Sequence, residues 1–138
     1  MGNYSDGRGS IAQVFLFKLI KEIYHNYRVV YEFEIPDTKQ RFDIFVIELG
    51  IAIEYDGIQH KEYCEFFHKD MNGYILSKKM DKKKEEFCKE NGIKLVRIDG
   101  NIDNFNKNNL HELIKNIEYP DKDFCLNIME KKIKERKW

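Results

Sequence analysis

The sequence contains few cysteines, and they form no recognisable pair. Cys64, Cys88 and Cys125 are odd in number and make no CxxC motif, which argues against a disulfide framework and favours reduced, buried thiols. Cys64 and His68 would supply half of a zinc site, but no second close pair completes it. We therefore expect neither a disulfide scaffold nor a structural zinc domain.

The sequence also lacks a long apolar run and a net charge. Its longest apolar stretch without a charge, Ile11–Phe17, is far shorter than the roughly 20 residues of a membrane-spanning helix. No charged segment followed by an apolar one marks a secretory leader. The 24 Lys and Arg residues balance the 24 Asp and Glu residues, so neither a basic arm nor an acidic tail describes the whole chain. We expect a soluble, intracellular protein of the cytoplasm.

The composition is that of one globular domain over residues 1–138, with 42% hydrophobic and 14% aromatic residues. Helical spacing of apolar residues predicts helices, and strict alternation predicts strands. Short turns between the first three strands favour an antiparallel meander. The predicted fold is α/β in the order αβββαβ, a mixed sheet with flanking helices, with its core at about residues 10–99 and a helical C-terminal extension at about 107–138.

The individual elements follow from the positions of the apolar residues. A mobile lead-in, Met1–Gly9, is expected before the first helix. The second helix includes Ile75 and Cys88 and closes at Asn91-Gly92. The other predicted elements are a helix at Ile11–His25, strands at Arg28–Ile35, Arg41–Ile47, Ile51–Tyr55 and Ile93–Ile98, and C-terminal helices at Asn109–Ile117 and Lys122–Lys137.

Acidic side chains interrupt two of the predicted strands. Asp43 stands in an otherwise apolar strand, where an unpaired carboxylate is costly to bury. Glu54 and Asp56 alternate onto the same face of the next strand. An antiparallel turn centred on Leu49 sets Asp43 opposite or diagonal to both. The pattern therefore predicts that three carboxylates converge.

Two interpretations of these carboxylates are open. Hard oxygen ligands that would otherwise repel one another suit Mg²⁺ or Mn²⁺. In the alternative, Asp43 pairs with Arg41 or Arg97, and the other two carboxylates face solvent. Three acids on adjacent strands favour the metal interpretation.

Three further residues are candidates for a role beside the carboxylates. His60 follows the strand exit at Gly57 and titrates near neutral pH, so it could move a proton. Asp81 and Lys84 are three apart and share one helical face. On spacing alone, an ordinary solvated face is the preferred interpretation of that last pair.

These motifs together resemble a known nuclease superfamily. They are Arg41-Phe42-Asp43, Ile53-Glu54-Tyr55-Asp56-Gly57-Ile58-Gln59-His60, Asp81-x-x-Lys84 with Cys88, and Gly92-Ile93-Lys94-Leu95-Val96-Arg97-Ile98. The series is similar to the PD-(D/E)XK nucleases, and within them to the branch of phage-type EDxHD homing endonucleases and very-short-patch mismatch-repair endonucleases. The similarity runs from about Ser10 to Ile98 and leaves the C-terminal helices uncovered.

The resemblance implies a metal-dependent DNA endonuclease with a restriction-endonuclease-like αβββαβ core. It implies that Asp43 and Glu54 hold Mg²⁺ or Mn²⁺, with Asp56 beside them, and that His60 acts in proton transfer. The family's later aspartate would fall on Asp81. Phage or virus is among the sources that the resemblance suggests.

Two positions depart from the family pattern. Asp56 occupies the place of the family lysine, which leaves Lys84 as the candidate for the lysine role. Gln13 stands where the first helix of many relatives carries a glutamate, and it could still coordinate through its amide oxygen. These departures support a second hypothesis, a nucleic-acid-binding or assembly module with the same fold and weak or lost catalysis. A structural protein whose acids pair with lysines is a third.

The neutral chain segregates its charge. Residues 28–60 carry three basic and seven acidic residues, whereas residues 78–84 carry five basic and one acidic. An acidic centre with basic flanks suits a cation and DNA phosphates respectively. We expect double-stranded DNA as the partner and leave a homodimer open. The predicted phosphate contacts are Lys78, Lys79, Lys82, Lys83 and Arg97.

Overall fold

The computed structural model describes the backbone of residues 3–56 and 71–135, and the side chains of residues 11–56 and 78–135. The predicted order αβββαβ is confirmed, as is the helical C-terminal extension. A short 3-10 turn lies at Ile102–Asn104. The described elements are α1 Asn3–Ile23, β1 Val29–Glu34, β2 Arg41–Val46, β3 Ile51–Tyr55, α2 Met71–Asn91, β4 Lys94–Ile98, α3 Lys107–Asn116 and α4 Leu126–Glu135.

The four strands form one mixed sheet in the order β1-β2-β3-β4. β1, β2 and β3 pair antiparallel, as short turns permit, and β4 pairs parallel to β3 after the crossover that contains α2. The β2–β3 register sets Ile44 opposite Ile53. Continued by one residue, this register brings Asp43 opposite Glu54.

Each face of the sheet is covered by two helices, because alternate residues of the strands point to opposite faces. On the front face, α1 and α3 pack Leu16, Ile20, Leu110 and Ile114 against Ile44, Ile51, Ile53, Val96 and Ile98. On the back face, α2 and α4 pack Cys88 and Met129 against Phe33, Phe42, Phe45 and Ala52. Glu54 also points to the back face, because Lys84 of α2 contacts its carboxylate there.

Two sequence predictions about helices need correction. The first helix begins at Asn3 and not at Ile11, because the chain continues helical through polar residues whose intrinsic preference is only weak. The last helix begins at Leu126 rather than Lys122. Residues 122–125 are not helical, and backbone atoms of Asp123 and Phe124 come within 2.6 Å of the position that a Cβ on Gly92 would occupy.

The thiols also differ from expectation in one case. Cys88 is buried in the back-face cluster, as predicted, but Cys125 is exposed. Both are free. Cys64 and His68, which the sequence analysis considered as half of a zinc site, lie outside the described residues.

Candidate metal centre

Asp43 and Glu54 hold each other at the end of the β2–β3 ladder. The backbone N–H of Asp43 donates to Glu54 Oε2 at 2.9 Å. The backbone N–H of Tyr55 donates to Asp43 Oδ2 at 2.8 Å. Carboxylates thus accept backbone hydrogen bonds where a regular antiparallel pair would use carbonyl oxygens. Each of the two side chains is thus held in place by a backbone N–H of the opposite strand.

Lys84 reaches this pair from α2. Its Nζ donates to Glu54 Oε1 at 2.9 Å, and the lysine and glutamate side chains are only 16% and 9% exposed. The preferred sequence interpretation, a solvated face, is therefore wrong for Lys84. Periodicity could not reveal this, because Lys84 stands in a run of lysines and only the packing of α2 against the sheet turns it inward.

Asp43 lacks full compensation for its charge. The pKa of this carboxyl is raised to about 7, first by burial and then by the charges of Glu54 and Asp56, against the lowering effects of the Tyr55 N–H and Lys84. Within the described residues, only Oδ2 of Asp43 accepts a hydrogen bond. A buried carboxyl in this state gains from any cation that approaches it.

The arginines do not supply that cation, contrary to the alternative interpretation. Arg41 forms ion pairs with Glu32 at 3.4 Å and with Glu34 at 3.5 Å. Arg97 lies beside Glu54 in the parallel register, but its guanidinium reaches Glu85 at 3.5 Å. Glu54 is also buried and does not face solvent.

Gln13 reaches the neighbourhood of the carboxylates through a residue that the sequence reasoning missed. Its Oε1 accepts a hydrogen bond from the Tyr31 hydroxyl at 3.3 Å. Burial raises the pKa of Tyr31, and the charges of Glu32 and then Asp43 add to the rise. Tyr31 pairs with Ile44, the neighbour of Asp43, so the strand register was the signal that could have identified it.

Of the three carboxylates predicted to converge, Asp43 and Glu54 lie together through their hydrogen bonds to the opposite strand. Asp56 is half-buried at the end of β3 and acts on Asp43 through its charge. Among residues 11–56 and 78–135, no three His, Cys, Asp or Glu side chains are grouped so that they could hold a metal ion. His60 lies outside the described residues.

The pair nevertheless fits a divalent cation by two observations. Its donors are hard carboxylate oxygens, and Mg²⁺ is commonly bound through one or two carboxylates with water and substrate phosphate completing its shell. Second, a positive group, the Lys84 ammonium, already sits against Glu54. Asp43 and Glu54 are the residues that would hold the metal.

The remaining predicted residues lie around this pair without joining it. Asp81 is exposed on α2, one turn before Lys84, and its predicted role stays a prediction. The lysines predicted to bind phosphate also have exposed side chains on the same helix, whereas Arg97 is half-buried. The exposed ones are Lys78, Lys79, Lys82 and Lys83.

The chain is similar in sequence to two viral proteins. It is 30% identical over 64 residues to uncharacterized protein 033L of Invertebrate iridescent virus 3, covering 46% of this chain and 33% of the relative. It is 27% identical over 56 residues to uncharacterized protein 307L of Invertebrate iridescent virus 6, covering 41% and 28%. The chain thus spans about a third of the length of these curated relatives. No family model and no solved structure matches it.

The helices within residues 3–56 and 71–135 include none that combines the length and the hydrophobicity that crossing a membrane requires.

Proposed function

We propose that this chain is a Mg²⁺-dependent (or Mn²⁺-dependent) endodeoxyribonuclease of the PD-(D/E)XK type, close to the EDxHD homing and very-short-patch repair endonucleases. The observation that supports it best is the buried Asp43–Glu54 pair, held by backbone hydrogen bonds at 2.9 and 2.8 Å and approached by Lys84. Two carboxylates suit Mg²⁺ that also binds substrate phosphate, and a lysine beside them suits the charge of that phosphate.

The chain's own residues divide the work of that reaction. When bound, a divalent metal polarises a phosphate oxygen and lowers the pKa of an attacking water. Asp43 and Glu54 would hold it from two paired strands, which would limit the reorganisation needed during the reaction. Lys84 supplies a positive charge next to the carboxylates, suited to a phosphate whose negative charge grows in the transition state. His60 would move the proton.

The surface of α2 suits the DNA backbone. Lys78, Lys79, Lys82 and Lys83 expose their side chains on the helix that also directs Lys84 inward. A phosphate held by Lys84 would therefore lie at the edge of a lysine-rich surface. Such contacts position a duplex without reading its sequence.

A viral origin of this chain agrees with the origin of the two similar sequences, which are both from iridescent viruses. A viral nuclease would act on DNA inside the infected cell. The two relatives carry no described activity, so the proposal rests on the residues and not on them.

Plasmid nicking tests this proposal directly. Supercoiled DNA is incubated with the protein and Mg²⁺ or Mn²⁺, and open-circle and linear products are quantified. We expect metal-dependent nicking that falls to the level of the protein-free control for Asp43→Asn. Asp121→Asn, which changes an exposed aspartate in the same way, should cut as the wild type does. If no metal concentration produces cleavage, the proposal fails.

The second candidate is a nucleic-acid-binding or assembly module without catalysis. The observation in its favour is Gln13, a neutral side chain whose oxygen already accepts a hydrogen bond from Tyr31. DNA binding without metal, measured at two salt concentrations, distinguishes the two. A module should bind with a steep salt slope and no cleavage.

A further inference from the structure

Both carboxylate oxygens of Glu54 are already engaged. Oε2 accepts the backbone N–H of Asp43, and Oε1 accepts the Lys84 ammonium at 2.9 Å. Asp43 differs, because within the described residues one of its oxygens accepts no hydrogen bond. The two proposed metal anchors are therefore unequal: one oxygen of Asp43 has no hydrogen bond within the described residues, whereas the charge of Glu54 is already balanced by the Lys84 ammonium.

The ion pair is buried, which gives this exchange an energetic meaning. The lysine is 16% exposed and the glutamate 9%, so each charge depends on the other for compensation. Removing one partner of such a pair leaves an uncompensated buried charge. A divalent cation that binds Glu54 supplies this compensation. It also repels the Lys84 ammonium, whose ion pair with Glu54 is then weakened.

The Lys84 ammonium can leave Glu54 without a movement of α2. Lys84 has a long, flexible side chain, and it is partly exposed and next to the exposed Lys83 on this helix. The phosphate of a bound DNA strand would offer a new partner for the ammonium. The same lysine would then serve the metal-free and the substrate-bound state in turn.

We propose that Lys84 is a placeholder cation: it neutralises Glu54 in the metal-free protein, Mg²⁺ or Mn²⁺ displaces it on binding, and the freed ammonium becomes available to substrate phosphate. This inference rests on the proposed function only for the presence of a metal site. It makes Lys84 a competitor of the metal as well as a partner in the reaction.

Metal affinity, not cleavage, is the decisive measurement. Mn²⁺ binding is followed by electron paramagnetic resonance of the free ion for the wild type, Lys84→Met and the matched control Lys89→Met, which changes an exposed lysine of the same helix. Because the competing charge is gone, Lys84→Met should bind Mn²⁺ about tenfold more tightly, equivalent to about 1.4 kcal/mol. Lys89→Met should bind as the wild type does. Equal or weaker binding by Lys84→Met overturns the placeholder.

A second measurement on the wild-type protein covers the case in which Lys84→Met does not fold. The ¹⁵N–¹H signal of a buried, bonded lysine ammonium is recorded in metal-free protein and assigned by its loss in Lys84→Arg. Titration with Mg²⁺ should remove or shift this signal while exposed lysines stay unchanged. A Lys84 signal unaffected at saturating Mg²⁺ overturns the proposal.

The outcomes separate this inference from the nuclease proposal. Metal binding that displaces Lys84 without DNA cleavage sustains the placeholder and rejects the nuclease. Cleavage with an undisplaced Lys84 does the reverse. Absence of any Mn²⁺ binding rejects both.

Discussion

The two ends of the β2–β3 pair are built from the same strands in opposite ways. At the apolar end, Ile44 to Val46 face Ile51 to Ile53 in regular register, and a tight turn leads into Gly50 at φ 64°. At the carboxylate end, Asp43 and Glu54 accept backbone N–H groups at 2.8–2.9 Å. One end satisfies its polar groups within the ladder, and the other uses ionisable side chains to do so.

The C-terminal extension contributes to this difference. The Phe124 ring lies within 2.7 Å of where a Cβ on Gly50 would stand, so this turn accepts only glycine. The Tyr119 hydroxyl donates to Leu49 O at 2.8 Å. The apolar end is thus closed by packing from a distant segment, whereas the carboxylate end is covered by a lysine.

The largest expected effect comes from truncating the apolar part of β2. Phe45 is fully buried, and its ring packs against those of Phe33 and Phe42 at centroid separations of 4.5 and 5.7 Å. Phe45→Ala should lower the free energy of unfolding by about 3–5 kcal/mol, because it removes buried area and leaves a cavity. Urea denaturation measures the loss.

The matched control for that change is Phe15→Ala, since Phe15 is 44% exposed on α1. It should cost less than about 1 kcal/mol. Similar losses at the two positions would contradict the assignment of Phe45 to the core that supports the site.

A substitution at the carboxylate end should act in the opposite direction. Asp43→Asn keeps an oxygen for the Tyr55 N–H but removes a buried charge that Glu54 repels. At pH 8 in EDTA, the variant should be more stable than the wild type by about 1–3 kcal/mol, given about 1.4 kcal/mol per pKa unit. Urea denaturation at several pH values measures this gain.

The sign follows from proton linkage. The folded protein raises the pKa of Asp43 from an ordinary value of 3.8 to about 7. Between those values the folded state holds a proton that the unfolded state has lost, so the stability of the metal-free wild type falls as pH rises through that window. The advantage of Asp43→Asn should vanish near pH 4, where both proteins are neutral at this position. An advantage that is independent of pH would reject the raised pKa as its cause.

The sequence predicted the carboxylate end better than its surroundings. Strand alternation and one turn were sufficient to place Asp43 opposite Glu54, because register in a meander is a local property. The inward direction of Lys84 and the hydrogen bond from Tyr31 to Gln13 were not predicted, because each depends on how a helix packs on the sheet. The start of α1 was missed for another reason: weak local preferences do not fix where a helix begins.

Thiol reactivity tests whether α2 stays closed over the carboxylate end. Burial, and after it the charge of Glu54, raise the pKa of Cys88 to about 12, whereas Cys125 is exposed. With the other cysteines changed to Ser, Cys88 should react with a disulfide reagent at pH 8 about a hundredfold more slowly than Cys125 does in the matching variant. Comparable rates would mean that α2 opens readily and that Lys84 seldom covers Glu54.

The smallest expected effect concerns the closure of the apolar end. Tyr119→Phe removes only the hydroxyl that bonds Leu49 O and keeps the ring 4.7 Å from the Lys94 ammonium. It should lower the free energy of unfolding by about 0.5–1 kcal/mol, as a single hydrogen bond at a partly exposed position does. Tyr27→Phe is the control, because Tyr27 is 42% exposed and Tyr119 is 43%. If the two variants lose equal stability, the hydroxyl contributes nothing, and the C-terminal extension closes this turn through the packing of Phe124 alone.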